Sequence, residues 1–136
     1  MKNILFIAAL SLSSLSFAQG NLQFNQVVNL EYPATVTGNT MATIGTITVP
    51  ANKVWKIEHA NITRDAGAYF YSKNIYASLY LNNIRVVSEK HSNMQFADPL
   101  PLWLSEGTYS VILSNETSSV FLYIPTISAI EFNVIP

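Results

Sequence analysis

Hydrophobic and polar side chains alternate along much of this chain with the two-residue period of β-strands. The clearest run is residues 75–81, whose two faces separate as Ile75, Ala77, Leu79 and Leu81 against Tyr76, Ser78 and Tyr80. Successive side chains of a strand point to opposite faces of a sheet, so this alternation predicts a strand. Similar runs at residues 41–49 and 109–113 predict two more.

Turn signals separate these runs. Proline, glycine and asparagine recur at residues 33–40, 50–53, 82–83, 107 and 115–119. Asparagine tolerates the left-handed backbone of a tight turn, and glycine adopts it without strain. No stretch beyond the N-terminal segment has helical periodicity. With about eight short strands, the sequence predicts an all-β fold, an antiparallel β-sandwich of the jelly-roll type.

Residues 100–113 join a short apolar arm to one of these strands through a Ser-Glu-Gly turn. Gly107 gives this turn the backbone freedom that it needs. Trp103 is the largest apolar side chain nearby, and we expect it to fill the core.

The first 18 residues have the organisation of a secretory signal peptide. Lys2 is followed by an apolar run at residues 4–10, and the segment ends in Ser16-Phe17-Ala18. This pattern is typical of a cleaved signal, and the apolar run is too short for a membrane helix. We predict cleavage after Ala18 and one β-sandwich domain over residues 19–136, with no membrane span in the mature chain. The protein would then lie in the periplasm, on the cell surface or outside the cell.

Composition narrows the class of protein further. Hydrophobic residues make up 49% of the chain and charged residues 11%, which argues against disorder. The formal net charge is -1 and no basic block exists, so the features of nucleic-acid or anionic-membrane binding are missing. The chain has no cysteine, and therefore neither a disulfide nor a lipid-anchor cysteine. A cysteine-free exported domain is more typical of a bacterial envelope or secreted protein.

Several predicted strands are apolar on both faces, most clearly residues 75–81, 120–124 and 127–134. An antiparallel sheet usually keeps one face for water, and a two-layer sandwich buries one face of each sheet. The second faces then need a loop or another subunit to cover them, and the low charge favours a subunit. We expect a cyclic homo-oligomer, with a trimer preferred. The alternative is a monomer with half-exposed tyrosines.

Five segments give the sequence a resemblance to a known class of domain: residues 47–50, 54–57, 101–104, 107–108 and 128–132. They read Ile-Thr-Val-Pro, Val-Trp-Lys-Ile, Pro-Leu-Trp-Leu, Gly-Thr and Ser-Ala-Ile-Glu-Phe. Together they resemble the small jelly-roll head domains of trimeric phage and bacterial fibres, which are similar to tumour-necrosis-factor-like sandwiches. The resemblance implies a trimer and surface recognition, and it implies no catalytic residue. The signal peptide departs from the phage case and favours a secreted or envelope-attached protein.

Motifs for nucleophilic catalysis or metal binding are missing from the sequence. It has no cysteine, no Gly-x-Ser-x-Gly motif, and only two histidines, His59 and His91, which are too few for a zinc site. Asp65 and Asp98 offer oxygen ligands for calcium, but the Asp-x-Asp-x-Asp-Gly pattern is absent. We predict no metal and no cofactor.

Four glutamates are the remaining candidates for acid–base chemistry: Glu58, Glu89, Glu106 and Glu131. Glycoside hydrolysis needs two facing carboxylates, and the sequence alone pairs none of them. Glu106 is accounted for by its turn. Glu131 is expected on the outer, solvated face of its strand. We therefore predict that the protein is not an enzyme.

The loop that follows the strand ending near residue 64 is the best candidate for recognition. Its aromatic residues and their polar neighbours form the predicted binding set: Tyr69, Phe70, Tyr71, Tyr76, Arg64 and Asp65. Tyrosine offers flat, rigid contact area with a polar tip, which suits stacking on a sugar or anchoring a protein partner. The alternative is that this loop packs on its own sheet or at a subunit interface.

Two functional hypotheses follow. In the first, the protein is a secreted structural or accessory component that assembles into or onto a bacterial surface apparatus, such as a fibre, adhesion, motility or secretion assembly. In the second, it is a carbohydrate- or protein-binding module that acts through residues 69–76.

Overall fold

The computed structural model describes residues 22–65, 76–90, 95–96 and 100–135. All regular structure within these ranges is β-strand, and we number ten strands along the chain. The longer ones are β1 (Leu22–Glu31), β3 (Thr40–Val49), β4 (Lys53–Asp65), β5 (Tyr76–Leu81), β6 (Ile84–Lys90), β9 (Gly107–Asn115) and β10 (Phe121–Val134). The short ones are β2 (Ala34–Val36), β7 (Gln95–Phe96) and β8 (Leu102–Leu104). The predicted signal peptide, residues 1–18, lies outside the described residues.

The strands form two antiparallel sheets, which we call sheet A and sheet B. Sheet A has the order β1-β10-β4-β8, and β2 pairs with the first residues of β10. Sheet B has the order β3-β9-β5-β6-β7. The predicted antiparallel β-sandwich is confirmed.

The strand order is that of a jelly roll. β5 and β6 form a hairpin in the middle of the chain, and around it β4 pairs with β8, β3 with β9, and β1 with β10. These nested pairs lie alternately in sheet B and sheet A, so one long hairpin is rolled into two layers. The four pairs supply eight strands, and β2 and β7 are short additions. Residues 120–124 and 127–134, which the sequence predicted as two strands, form the single strand β10, and the predicted apolar arm contributes the strand β8.

The core fills the space between the two sheets. Sheet B contributes Ala77, Leu79 and Leu81 of β5, which share one face of the strand, as the alternation predicted, and are buried. Sheet A contributes Ile57 of β4 and Ile127 of β10, which are also buried. Each fully buried leucine or isoleucine side chain among them stabilises the fold by about 1.5–3 kcal/mol.

Asn115 is a polar side chain buried at one end of this core. Its Nδ2 donates to the backbone carbonyls of Val36 at 2.9 Å and Ser119 at 2.8 Å. Its Oδ1 accepts from the Tyr123 hydroxyl at 2.9 Å and from the Thr117 amide at 3.0 Å. The hydrogen bonds of the buried amide compensate for its loss of water. They also connect β2, β9 and β10.

Trp103 does not fill the core, so this prediction is wrong. It lies on the outer face of sheet A with 48% of its surface exposed, between Leu102 and Leu104, which pack towards the core. The reason is the strand register. Leu104 pairs with Trp55 of β4, and residues paired across antiparallel strands share a face. Trp55, not Trp103, is the buried tryptophan.

The second face of β5, which the sequence predicted to need cover, is covered in part within the single chain. Ser78 on this face is buried, whereas Tyr76 and Tyr80 are half buried. The outer face of β10 carries the half-buried Ile130 and Phe132 and continues into exposed residues of β1. The uncovered apolar surface that the sequence predicted for β10 therefore remains, on the outer face of sheet A.

Candidate functional site

One end of sheet A carries large apolar side chains on its outer face. Residues paired across strands share a face, and here Phe24 pairs with Phe132 and Val27 with Ile130. The row that begins with Val27 and Ile130 continues across the sheet. Ile130 pairs with Lys56 of β4, and Lys56 pairs with Trp103 of β8. We call this surface the apolar face and define it by Leu22, Phe24, Val27, Trp103, Ile130, Phe132 and Val134.

Much of the apolar face is open to solvent. Val27 is 60% exposed, and Phe24 and Trp103 are exposed as well. The Trp103 ring packs against the half-buried Phe132, with ring centroids 5.7 Å apart and planes inclined at 33°. Exposed apolar residues that stand singly are normal on protein surfaces, whereas a contiguous patch marks a site of interaction.

Lys56 and Glu58 of β4 form the charged border of the apolar face. The Lys56 Nζ lies 2.6 Å from a carboxylate oxygen of Glu58 and 5.7 Å from the centroid of the Trp103 ring. Both side chains are partly exposed, so the ion pair contributes about 1 kcal/mol or less to stability. The two charges cancel, and the surface is apolar and locally neutral.

The outer face of sheet A becomes polar one row further along. Asn29 pairs with Ser128, whose hydroxyl donates to Asn29 Oδ1 at 2.7 Å, and Ser128 pairs with His59 on its other side. The row after that, with Glu31 beside Thr126, is polar too. The apolar face is therefore a bounded patch at one end of the sheet.

Glu131 lies beneath the apolar face, on the inner side of β10, and is only 3% exposed. It accepts a hydrogen bond from Trp55 Nε1 at 2.7 Å and others from the side-chain amides of Asn25 and Gln26. The Lys53 Nζ lies 3.8 Å from its Oε1. The prediction that Glu131 is solvated is wrong, because the inner-face alternation of β10 continues to this position.

A bulge in β1 brings Asn25 to this carboxylate. The register between β1 and β10 shifts between Phe24 and Gln26, so β1 carries one extra residue there. Asn25 and Gln26 both reach Glu131, while Phe24 stays on the outer face. Glu131 thereby anchors the strand that carries Phe24 and Val27 of the apolar face.

The pKa of the Glu131 carboxyl reflects opposing effects. Burial raises it, while hydrogen bonds from Trp55, Asn25 and Gln26 and the charge of Lys53 lower it. The lowering effects prevail, and the pKa lies below its ordinary value. The carboxylate is ionised at neutral pH and serves as a structural anion.

The residues predicted for recognition are described only in part. Residues 69–71 lie outside the described part of the chain. Arg64 and Asp65 are the last two residues of β4, and Tyr76 is the first residue of β5. Both Arg64 and Tyr76 are linked to the end of β6: the Arg64 charge acts on Glu89, and Tyr76 pairs with Lys90.

At that end, the Arg64 guanidinium carbon lies 4.4 Å from the centroid of the Phe121 ring. Tyr76 is adjacent to Ala77, which pairs with Glu89 of β6. One carboxylate oxygen of Glu89 is buried and has no hydrogen-bond partner among the residues that the structure describes. Burial raises the pKa of the Glu89 carboxyl, and the charge of Arg64 offsets part of that rise. Charges of both signs thus meet near the strands that flank residues 66–75.

Potential metal ligands do not cluster in the described part of the chain: no three histidine, cysteine, aspartate or glutamate side chains come together there. The same residues contain no helix long and apolar enough to cross a membrane. Scanning the sequence against models of known protein families gives no match, and a search of curated proteins finds no similar sequence.

Sequence reasoning identified half of the apolar face and missed the other half. Ile130, Phe132 and Val134 stood out as the second apolar face of their strand. Phe24 and Val27 did not, because a one-residue bulge places them on one face despite their odd spacing. A strand of ten residues without a charge before its last position was the signal available for β1.

Proposed function

We propose that this protein is an exported structural component that assembles into or onto a bacterial cell-surface apparatus, and that it buries its apolar face when it does so. The observation that carries the proposal is the exposure of contiguous large apolar side chains in one sheet. Monomeric proteins rarely expose continuous apolar patches beyond a few hundred Å², and larger ones mark interaction surfaces. The signal-peptide pattern of residues 1–18 supports export.

Other copies of the same chain are the partners that the composition of this surface favours. Interface cores are poor in charge and rich in aromatic residues. The apolar face carries the aromatic rings of Phe24, Trp103 and Phe132, and its charged border is the pair of Lys56 and Glu58. A jelly roll is the fold that the resemblance to fibre head domains implies. The trimer implied by that resemblance stays a prediction, because the structure of a single chain does not define the symmetry of an oligomer.

A matched pair of valine variants tests the proposal. Val27 on the apolar face is 60% exposed, and Val120 at the opposite end of β10 is 57% exposed. Replacing either by serine removes the same exposed side chain, and each change alters the stability of the fold by about 0.5 kcal/mol or less.

Size-exclusion chromatography with light scattering then measures the mass of each protein over a range of concentrations. We expect wild type and Val120→Ser to form the same oligomer over the same range of concentrations. For Val27→Ser, the concentration below which the oligomer dissociates should be at least several-fold higher than for wild type. A wild-type chain that stays monomeric through the micromolar range contradicts the proposal.

A second candidate function is recognition of a carbohydrate or a protein at the Arg64 end of the sandwich. The supporting observation is that Arg64, Glu89 and the start of β5 meet there, next to the strands that flank the predicted binding loop. Replacing Tyr69 and Tyr71 by alanine should abolish glycan-array binding without changing the oligomer. An unchanged array signal with intact assembly favours the structural function instead.

A further inference from the structure

We propose that the apolar face binds the apolar face of a second copy of this chain across a twofold axis. The inference rests on the proposed function, since it names the partner and the symmetry of that assembly, and it replaces the trimer that the resemblance implies by a twofold contact. In such an isologous contact, the same patch of each copy meets its counterpart, so the surface must complement itself.

The size of the apolar face fits a dimer contact. The exposed parts of its side chains amount to roughly 500 Å² of apolar surface, near the upper end of patches found on monomers. Half-buried Ile130 and Phe132 and the border residues enlarge the surface that a partner would cover. A standard interface buries about 800 Å² on each partner, which is within reach of this face.

The charges favour a copy of the same chain over a charged partner. Lys56 and Glu58 give the border of the face one positive and one negative group, 2.6 Å apart. A strongly acidic or basic protein would leave one of them unmatched. An anionic membrane attracts surfaces with an excess of basic residues. This face has no such excess, because Glu58 balances Lys56. A second copy carries the same neutral pair, so each charge finds its opposite across the axis.

The confinement of the apolar residues to one end of sheet A favours a twofold axis over a ring. A ring needs two different surfaces that complement each other. Elsewhere in the described residues, the exposed large apolar side chains are Met41 of β3, Ile84 of β6, Val120 before β10 and Ile135 after it, and they form no second patch on one strand. The polar row of Asn29 and Ser128 then limits the contact to one end of each sheet.

Cysteine crosslinking tests the symmetry directly. The chain has no cysteine, so one introduced thiol reports only on its own position. Val134→Cys places a thiol at the rim of the apolar face, and Val120→Cys places one at the other end of β10; both replace an exposed valine. Bismaleimide reagents with arms of about 8–16 Å can join rim thiols of two sheets packed about 10 Å apart.

The purified exported chain is treated at a concentration where it self-associates, and the products are resolved by denaturing electrophoresis and mass spectrometry. We expect Val134→Cys to give a covalent dimer as its main product and Val120→Cys to give at least ten-fold less. Equal crosslinking of the two variants overturns the twofold contact. So does a Val134→Cys chain that self-associates but gives no covalent dimer. Either result means that the chain assembles through another surface. A wild-type chain that is monomeric at every concentration contradicts the proposed function itself.

Charge reversal provides a second readout that does not depend on a thiol. Lys56→Glu and Glu58→Lys each place like charges across the axis in two symmetric copies, and we expect each to weaken self-association at least ten-fold. The combined swap restores both the intramolecular pair and the contacts across the axis, and association should recover. Self-association that is indifferent to all three variants overturns the inference, and circular dichroism verifies that each variant is folded.

Discussion

Replacing Glu131 by glutamine tests how much the buried carboxylate stabilises the fold. The change keeps the shape of the side chain, removes its charge and turns one acceptor oxygen into a donor NH2 group. Trp55 donates to Oε2, whereas Asn25 and Gln26 both donate to Oε1. Either orientation of the new amide therefore leaves at least one of these three donors facing another donor.

The expected magnitude follows from these contacts. A hydrogen bond to a charged group contributes about 1.5–3 kcal/mol, and a buried donor left unsatisfied costs about 1–3 kcal/mol. The Lys53 ammonium adds little, because its side chain is 25% exposed. We expect Glu131→Gln to lower the free energy of unfolding by about 2–4 kcal/mol. The control Glu58→Gln removes an exposed carboxylate and should cost about 0.5 kcal/mol or less.

The same variant predicts a change in pH dependence. The pKa of Glu131 is lower in the folded chain than in the unfolded chain, so its carboxylate stabilises the fold above the ordinary carboxyl pKa. This contribution is lost as the pH falls through the lowered pKa. Wild type should therefore lose more stability on acidification than Glu131→Gln, and the two curves should converge in acid.

Urea denaturation followed by tryptophan fluorescence, repeated from neutral to acidic pH, measures both effects. Equal losses for Glu131→Gln and Glu58→Gln at neutral pH would refute the reasoning. Parallel pH curves for wild type and Glu131→Gln would refute it as well, because the stabilisation would then not come from the ionised carboxylate.

Three further predictions concern other parts of the chain. Asn115→Ala removes the side-chain partner of the Val36 carbonyl and of the Tyr123 hydroxyl, and one of two donors to the Ser119 carbonyl. It should lower the free energy of unfolding in urea by about 3 kcal/mol, and a loss under about 1 kcal/mol would contradict this. Burial raises the pKa of the Glu89 carboxyl, so the melting temperature of wild type should decline as the pH rises from the ordinary carboxyl pKa through the raised one. Glu89→Gln removes this carboxyl and should abolish the decline. A decline equal to that of wild type would count against the prediction. N-terminal sequencing of the exported protein should begin at Gln19, and an intact N-terminal methionine would rule out cleavage.

The fold could be predicted because much of it follows from local pattern. Alternation in residues 75–81 placed Ala77, Leu79 and Leu81 on one face of β5, and all three are buried in the core, since the two-residue period fixes side-chain direction. The Asn82-Asn83 pair predicted a tight turn, and Asn82 has a positive φ of 52° between β5 and β6. This hairpin is the innermost of the nested pairs, so a local signal located the centre of the jelly roll.

Trp103 and Glu131 were assigned to the wrong side for physical reasons. Trp103 sits in a strand of three residues, which is too short for its pattern to define a face, and size alone suggested burial. Charge suggested that Glu131 is solvated, but strand register places it inside. The donors that make its burial tolerable, Trp55 and Asn25, are 76 and 106 residues away in sequence. Such contacts arise only when the sheets assemble.

The expectation of a partner rested on strands that are apolar on both faces, and the structure separates two cases. On the second face of β5, Ser78 is buried and hydrogen-bonds to Ser88 of β6, while Tyr76 and Tyr80 are half buried. The second face of β10 carries Ile130 and Phe132 and joins the exposed residues of β1. Alternation identified both faces, whereas the covering of each depends on tertiary packing.

Hydroxyl-radical footprinting measures directly whether the apolar face is covered in the assembled protein. The experiment compares the oxidation of Phe24 and Trp103 in assembled wild type and in the Val27→Ser variant, with exposed Met41 on β3 as the internal control. We predict that both aromatic residues are protected at least several-fold in wild type and that Met41 reacts equally in the two proteins. Equal oxidation of Phe24 and Trp103 in both proteins, with wild type assembled, would contradict burial of this face.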